Sequence, residues 1–271
     1  MSEYATREVI RRRLEPIYHD LERESATTWD YSADQFLVVR LDGVKASGAF
    51  LKDRPRNLDY ERGIDKAINT AYYMLRGWTK EENTNFYLGA LSMSDEVSFI
   101  LNSGTNWYSN RLLKLSTVLA GVLSAAMTKS FEIYQPERSV FTKKGHPDKR
   151  VLLNFDARPL IFDDLDKTVE YLRFRWILGC RNAMAKTLRL CGKMSEADFS
   201  DPERWSNIEW MAGQLDEHRL FDAYRKATEG FRLYVPNLER KLVACSIADT
   251  DSAAADRVFA MVKAYKRDID G

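Results

Sequence analysis

Phe36-Leu37-Val38-Val39-Arg40-Leu41-Asp42-Gly43 is a nearly continuous apolar run that ends on an acid and a glycine. Leu91-Ser92-Met93-Ser94-Asp95-Glu96-Val97-Ser98-Phe99-Ile100 sets two acids between apolar segments. The first stretch reads as a strand covered on both faces, because a half-exposed strand would alternate. The second reads as a hairpin. Phe86 to Met93 alternates, Val97 to Leu101 is its partner, and Ser94-Asp95-Glu96 falls at the turn. If the first strand lies beside the hairpin, Asp42 and Asp95 converge. Like-charged carboxylates repel, and a shared divalent cation is a common way to hold them together near neutral pH.

Working outward, residues 7–24 read as a charged helix. Asp59 to Arg76 reads as another, with Ile64, Ala67, Ile68, Ala71 and Met74 spaced for one face. Gly77 to Asn85 is a polar connection. Thr105 to Phe131 is a long amphipathic helix containing Leu112, Leu115, Val118, Leu119 and Leu123. Gln135 to Arg150 is a polar, basic loop, and Val151 to Asp156 is a strand candidate. Leu165 to Leu190 is a long helix that Asp163 or Asp164 would cap. The remainder reads as mostly helical, with loops at Asp201-Pro202 and Val235-Pro236. This order predicts an α+β fold: a mainly antiparallel sheet, helices on one face, and a helical C-terminal region. It predicts one domain over 1–271, with a catalytic core at 1–192 and a helical extension at 193–271.

The chain has 271 residues, against roughly 100–200 per domain. Its 45% hydrophobic content is ample for a core, and 30% charged content fits a globular chain. The net charge is +1, so a nucleic-acid surface must be a local patch. Cys180, Cys191 and Cys245 lack metal-site spacing and read as free thiols of a cytoplasmic protein. The first residues lack a signal-peptide core, and no apolar run approaches the ~20 residues that span a bilayer. No membrane partner is expected.

Mg²⁺ takes oxygen ligands, commonly one or two carboxylates. Asp42 and Asp95 could supply them, and the carbonyl of Gly43, which has no side chain, can approach a metal closely. Two metals roughly 3.5–4 Å apart activate an attacking oxygen and stabilise a departing pyrophosphate. Glu96 reads as a metal ligand, a group that orients a ligand or a solvent-facing acid. Lys45, Lys52, Arg54 and Arg56 follow the first acid. Arg111 and Lys114 follow the hairpin, three apart and so on one helix face, where Ser109 and Asn110 could start the helix. Lys143, Lys144, Lys149 and Arg150 form a basic loop able to track RNA phosphates, or simply a solvated one. Asp163, Asp164 and Asp166 suit a helix N-terminus. His19, His146 and His218 are too scattered for a triad or a zinc site. Trp205, Trp210, Tyr224, Phe231 and Tyr234 are candidates for base stacking, although helical spacing favours core.

These motifs resemble the tRNA-His guanylyltransferase family and its divergent relatives. The resemblance rests on Arg40-Leu41-Asp42-Gly43, Ser94-Asp95-Glu96-Val97-Ser98-Phe99 and Thr105-Asn106-Trp107-Tyr108 with Arg111 and Lys114. Phe155-Asp156-Ala157-Arg158, then Tyr171-Leu172 and Arg175, continue it, and it runs from Phe36 to about Leu190 in consistent order. It implies a palm-like core that adds nucleotides in the 3′-to-5′ direction to the 5′ end of tRNA or tRNA-like RNA. ATP or GTP would be the substrate, with two Mg²⁺ ions on Asp42, the Gly43 carbonyl and Asp95. Nucleotide contacts would come from Asp42, Gly43, Val44, Lys45, Ala46, Ser47, Ser94 and Asp95, and triphosphate contacts from Arg111 and Lys114. Members usually assemble as tetramers. One family segment, His-x-Asn-Asn-x-Tyr-Asn, is here Cys180-Arg181-Asn182-Ala183-Met184-Ala185-Lys186, which keeps Asn182 as an RNA contact. Two rival readings are a palm-fold nucleotide cyclase or oligonucleotide synthetase, and an inactive tRNA-binding protein.

Overall fold

In the computed structural model, residues 2–25, 31, 32, 34–44, 46, 51, 53–78, 86–102, 111–134, 153–248 and 252–270 are described. Helix α1 (Glu3–Ser25) leads into β1 (Phe36–Gly43), followed by α2 (Leu58–Trp78), β2 (Tyr87–Met93), β3 (Glu96–Leu101), α3 (Leu112–Tyr134) and β4 (Phe155–Phe162). Then come α4 (Leu165–Leu190), α5 (Glu196–Ser200), α6 (Pro202–Trp205), α7 (Ile208–Glu217) and α8 (Phe221–Thr228). The strands β5 (Arg232–Pro236) and β6 (Leu242–Ser246) precede α9 (Ser252–Asp270). The strands form one antiparallel sheet in the order β4-β1-β3-β2-β5-β6.

Strand β1 explains the layering. Successive side chains point to opposite faces of a strand, and here both directions are apolar. Phe36 and Val38 enter one core with residues of α1, α4, α7, α8 and α9. Leu37, Val39 and Leu41 enter a second core with residues of α2 and α3. The expectation of helices on one face is therefore corrected: they cover both. A strand with no polar face needs two lids.

The C-terminal region is also corrected, because it supplies strands as well as helices. Strand β2 is buried along its whole length, so its outer backbone groups need partners. Strand β5 provides them, with Ala90 opposite Tyr234 and Leu91 opposite Leu233. A Cβ on Gly89 would sit 2.7 Å from the Tyr234 carbonyl oxygen, so a bare backbone lets β5 approach. The strand expected at Val151–Asp156 is shifted. Strand β4 starts at Phe155 and runs through Pro159, which is tolerated because β4 is a sheet edge. Residues 151 and 152 lie outside the described residues.

Helix α2 buries Ile64, Ala67, Ile68, Ala71 and Leu75, whereas Met74 falls off that stripe and is exposed. Helix α3 corrects another expectation. Its 19 residues Leu112–Ser130 are long and apolar enough to cross a membrane. In the structure Leu112, Leu115, Leu119, Leu123 and Met127 pack into the second core. The long helix α4 begins at Asp164, whose side chain accepts a hydrogen bond from the Lys167 backbone N–H at 2.6 Å. The three cysteines are free thiols.

Candidate active site

Asp42 rides on the end of β1, opposite Glu96 of β3 on one side and Asp156 of β4 on the other. The β2–β3 hairpin closes through Ser94 and Asp95, between Met93 and Glu96, which face each other. Ser94 has φ 54°, the left-handed region. Among the described non-glycine residues Asp95 does not share it, and a positive φ at the first turn position alone suits the right-handed twist of the flanking strands. For serine that conformation costs about 1 kcal/mol.

The hairpin tip is tied to the end of β1. The Gly43 N–H donates to the Asp95 carbonyl oxygen at 3.0 Å. A Cβ at Gly43 would lie 2.7 Å from the Ala46 Cβ, 3.1 Å from the Tyr60 hydroxyl and 3.3 Å from the Asp95 Cβ. Only a residue without a side chain lets these groups close together. The two acids feel one another as a result. Burial, then the charges of Asp95 and Glu96, push the Asp42 carboxyl up to about 6, against the pull of Arg40. Tyr60, from α2, packs beneath the pair. Its own burial, then Asp95 and Asp42, hold its hydroxyl well above the ordinary phenol value.

Glu96 is committed elsewhere. Arg175 of α4 donates from Nε to Glu96 Oε1 at 3.0 Å and from Nη2 to Oε2, a two-pronged clasp. Glu22 of α1 lies 3.8 Å from Arg175 and accepts from Arg40 Nη1 at 3.1 Å and from the Tyr171 hydroxyl at 3.0 Å. Burial opposes the charge on Arg175, and Glu96, Tyr171 and Glu22 outweigh it, so its pKa lies above the ordinary arginine value. In the structure Glu96 anchors the hairpin tip to α4.

A cavity of about 440 Å³ opens beside the tip. Asp42, Ser94, Asp95 and Glu96 form one wall. The facing wall is a stripe of α4: Arg175, Gly179, Asn182, Lys186 and Arg189. Leu51, Pro55, Trp205, Ala227 and Phe231 also line it. A Cβ at Gly179 would meet the Met93 sulfur at 2.7 Å, so this glycine lets α4 lie against the hairpin.

The residues anticipated from sequence divide accordingly. Asp42, Ser94, Asp95, Glu96 and Asn182 share the cavity. Gly43 and Ala46 are buried below it, while Val44 is exposed and donates its N–H to the Asn154 carbonyl at 2.8 Å. Arg111 and Lys114 are exposed at the start of α3, which covers the opposite face of the sheet from α4, and they do not line this cavity. Arg56 is held by Glu61 and Glu229. Lys45, Ser47, Lys52, Lys143, Lys144, Lys149 and Arg150 lie outside the described residues. Lys186, Arg189 and the Arg175–Glu96 pair were not anticipated as site features. Their sequence signal is the spacing 175, 179, 182, 186, 189, one helical stripe.

Among the described residues, no group of three or more His, Cys, Asp or Glu could hold a metal. The available donors are two carboxylates and the Gly43 carbonyl, all hard oxygens. That set fits Mg²⁺, which fills its other positions with water and phosphate oxygens. The raised pKa of Asp42 is the expected mark of paired acids that a cation would relieve.

An antiparallel palm sheet with helices on both faces, carrying an acid at the end of its central strand and another on the adjoining hairpin, defines a nucleotidyl-transfer class of fold. The family model described as tRNAHis guanylyltransferase (Thg1) matches residues 21–162, more than half of the chain, so the protein belongs to that family and is a nucleotidyltransferase. Two bacterial solved structures share the fold. A bacterial tRNA(His) guanylyltransferase (Thg1)-like protein in complex with ATP superposes with a TM-score of 0.62 at 15% identity, covering 91% of this chain and 98% of that one. A bacterial Thg1-like protein in complex with GTP gives a TM-score of 0.55 at 14% identity, covering 92% and 97%. The tRNA(His) guanylyltransferase from Saccharomyces cerevisiae gives 0.49 at 18% identity, covering 83% and 95%. No curated protein matches the chain.

Proposed function

We propose that the protein is a Mg²⁺-dependent nucleotidyltransferase that extends the 5′ end of tRNA or tRNA-like RNA in the 3′-to-5′ direction, using ATP or GTP. The observation that carries this reading is the convergence of Asp42 and Asp95 on one cavity, with Gly43 bare between them. On the family resemblance, the enzyme works as a cytoplasmic homotetramer. ATP and GTP as substrates draw further support from the nucleotides bound in the two bacterial Thg1-like structures.

Asp42, Asp95 and the Gly43 carbonyl would hold the Mg²⁺ ions, which when bound lower the pKa of an attacking hydroxyl and neutralise a departing pyrophosphate. The protein's own groups prepare that chemistry. The hydrogen bond from Gly43 to Asp95 fixes the hairpin tip against β1, and Arg175 fixes its other side through Glu96. Arg175 also keeps Glu96 turned towards α4, which limits the negative charge facing substrate phosphates. Tyr60 stays protonated at neutral pH, so the floor of the site adds no further charge. In the transfer, a 3′-hydroxyl oxygen forms a bond to the phosphorus at the activated 5′ end. At a 5′-triphosphate end the bond to the departing pyrophosphate breaks, and the hydroxyl proton passes to solvent.

The test is incubation with 5′-truncated tRNAs, labelled triphosphates and Mg²⁺, followed by product sizing. The expected result is RNA lengthened at its 5′ end. Asp42→Ala or Asp95→Ala should lower incorporation by at least a hundredfold with an unchanged circular-dichroism spectrum. Full activity in the double variant would defeat the assignment. A small cyclic or oligomeric product made without RNA would instead identify a cyclase or synthetase.

A further inference from the structure

Behind the acid pair lies a buried group of four charges: Glu22 of α1, Arg40 of β1, Arg175 of α4 and Glu96 of β3. Two are positive and two negative, so the group is neutral as a whole. Glu22 is 11% exposed and Arg40 7%, so each charge depends on its partner. Glu22 stands at the centre. Its Oε1 accepts from Arg40 Nη1 at 3.1 Å and from the Tyr171 hydroxyl at 3.0 Å, and lies 3.8 Å from Arg175 Nη1. Tyr171 and Arg175 are four apart on α4 and so share one face of it. One acid near the end of α1 therefore ties β1 to α4, and α4 in turn holds β3 through Arg175 and Glu96.

Strand geometry sets this group directly behind the metal-binding acids. Side chains two apart on a strand share a face, so Arg40 shares one with Asp42 and Ser98 with Glu96. Arg40 is opposite Ser98, and Asp42 is opposite Glu96. The Arg40 row thus lies one step, roughly 6.5–7 Å along the strand, behind the acid row. Arg40 is near enough to pull on the Asp42 charge. Its guanidinium is held on one side only. Nη1 bonds to Glu22, whereas the buried Nε and the buried Ser98 hydroxyl lack hydrogen-bond partners among the described residues. A guanidinium released by Glu22 would find the Asp42 carboxylate next along the same face. An arginine on that carboxylate competes with a cation for its oxygens.

We propose that Glu22 is a positioning residue for the metal-binding acids: it keeps Arg40 off Asp42 and, through Arg175 and Glu96, holds the hairpin that carries Asp95 at the spacing a divalent cation needs. This rests on the nucleotidyltransferase reading and deepens it. Glu22 touches neither substrate nor metal, since it acts through Arg40 and Arg175. Its charge matters because without it the buried group carries one uncompensated positive charge beside a site that must attract cations. Its length matters because one carboxylate reaches both β1 and α4.

The test measures metal binding to the full chain, which needs no turnover. The probe is Mn²⁺, titrated while the paramagnetic signal of the free ion is followed, with Mg²⁺ as competitor. In Glu22→Gln the dissociation constant should rise at least fivefold with the number of ions bound per chain unchanged. A variant that had merely lost folded molecules would bind fewer ions at wild-type affinity, and that result would overturn the proposal. Tyr18→Phe is the control: it removes another bond from α1 to α4, that of the Tyr18 hydroxyl to Glu170 at 2.9 Å, and leaves the charged group intact. It should change the constant less than twofold, and an equal loss in both variants would mean that any loosening of α1 has the same effect and defeat the assignment. Glu22→Asp keeps the charge, so it folds even where Glu22→Gln does not, but it is one methylene shorter. It should weaken binding at least threefold, and wild-type affinity there would rule out positioning. In the incorporation assay, the Mg²⁺ concentration for half-maximal rate should rise in parallel in Glu22→Gln, with the KM for tRNA within twofold. Wild-type binding that survives Asp42→Asn and Asp95→Asn would sink the metal-site reading and this proposal together. Binding that needs both acids but is indifferent to Glu22 would sink the positioning role alone.

Discussion

Asp42 carries its charge at a cost. Its folded pKa of about 6 lies above the ordinary value of 3.8, through burial first and then the neighbouring acids. With the pKa raised by folding, the stabilisation from holding a proton is complete below about pH 4 and is lost as pH rises through 6. At pH 7.5 without metal, ionised Asp42 therefore weakens the fold, by on the order of 1–3 kcal/mol given its partial exposure. Asp42→Asn removes the charge and keeps the shape. It should raise the denaturation midpoint at pH 7.5 in EDTA and leave it nearly unchanged at pH 4. Added Mg²⁺ should stabilise the wild type through binding, and the variant much less. Urea titrations at the two pH values check this. A variant less stable than wild type at pH 7.5 in EDTA would show that Asp42 is not electrostatically opposed by its neighbours.

At the scale of elements, the site depends on α4 reaching across to the hairpin. Arg175 and Glu96 are each about one-eighth exposed, at 13%. Removing one partner strands a buried charge, which typically costs about 3–5 kcal/mol, whereas removing both costs much less. Arg175→Met and Glu96→Met should each destabilise by roughly 2–4 kcal/mol, and the double variant by clearly less than their sum. Denaturant unfolding of the four proteins gives the coupling energy, and strict additivity would mean the clasp holds nothing. The hairpin itself was legible in the sequence, because an alternating strand, a polar pair and an apolar strand are local signals. Asp42 and Asp95 were legible for the same reason, as acids at the ends of apolar runs. The Arg175–Glu96 clasp was not, since its partners are far apart in sequence and each alone reads as a solvated charge. Lys186 and Arg189 were hidden likewise: only the packing of α4 against the hairpin shows which face of that helix meets the acids. Strand β5 was missed because it is five residues long, ends on proline and follows helices. Strand β6 is largely exposed and lacks a buried run to mark it.

For the whole molecule, the question is whether the core expected at residues 1–192 can stand without the C-terminal extension. The sheet argues that it cannot. Without the C-terminal strands, β2, buried along its whole length in the intact sheet, becomes an edge, with the backbone of Ala90, Leu91 and Ser92 left without its β5 partners. Such an edge pairs with other chains. The first core would also lose Phe231, Leu233, Phe259 and Val262, all buried. Trp176, fully buried on α4, would lose the Ile247 carbonyl that accepts its indole N–H at 2.9 Å, and an unpaired buried donor costs about 1–3 kcal/mol. A chain ending at residue 192 should therefore appear in the insoluble fraction, or elute as aggregate without a cooperative melt. The full chain should unfold in one transition seen equally by fluorescence and circular dichroism. A soluble 1–192 fragment that melts cooperatively and still incorporates nucleotide would show that the C-terminal strands are an accessory, and that the palm closes without them.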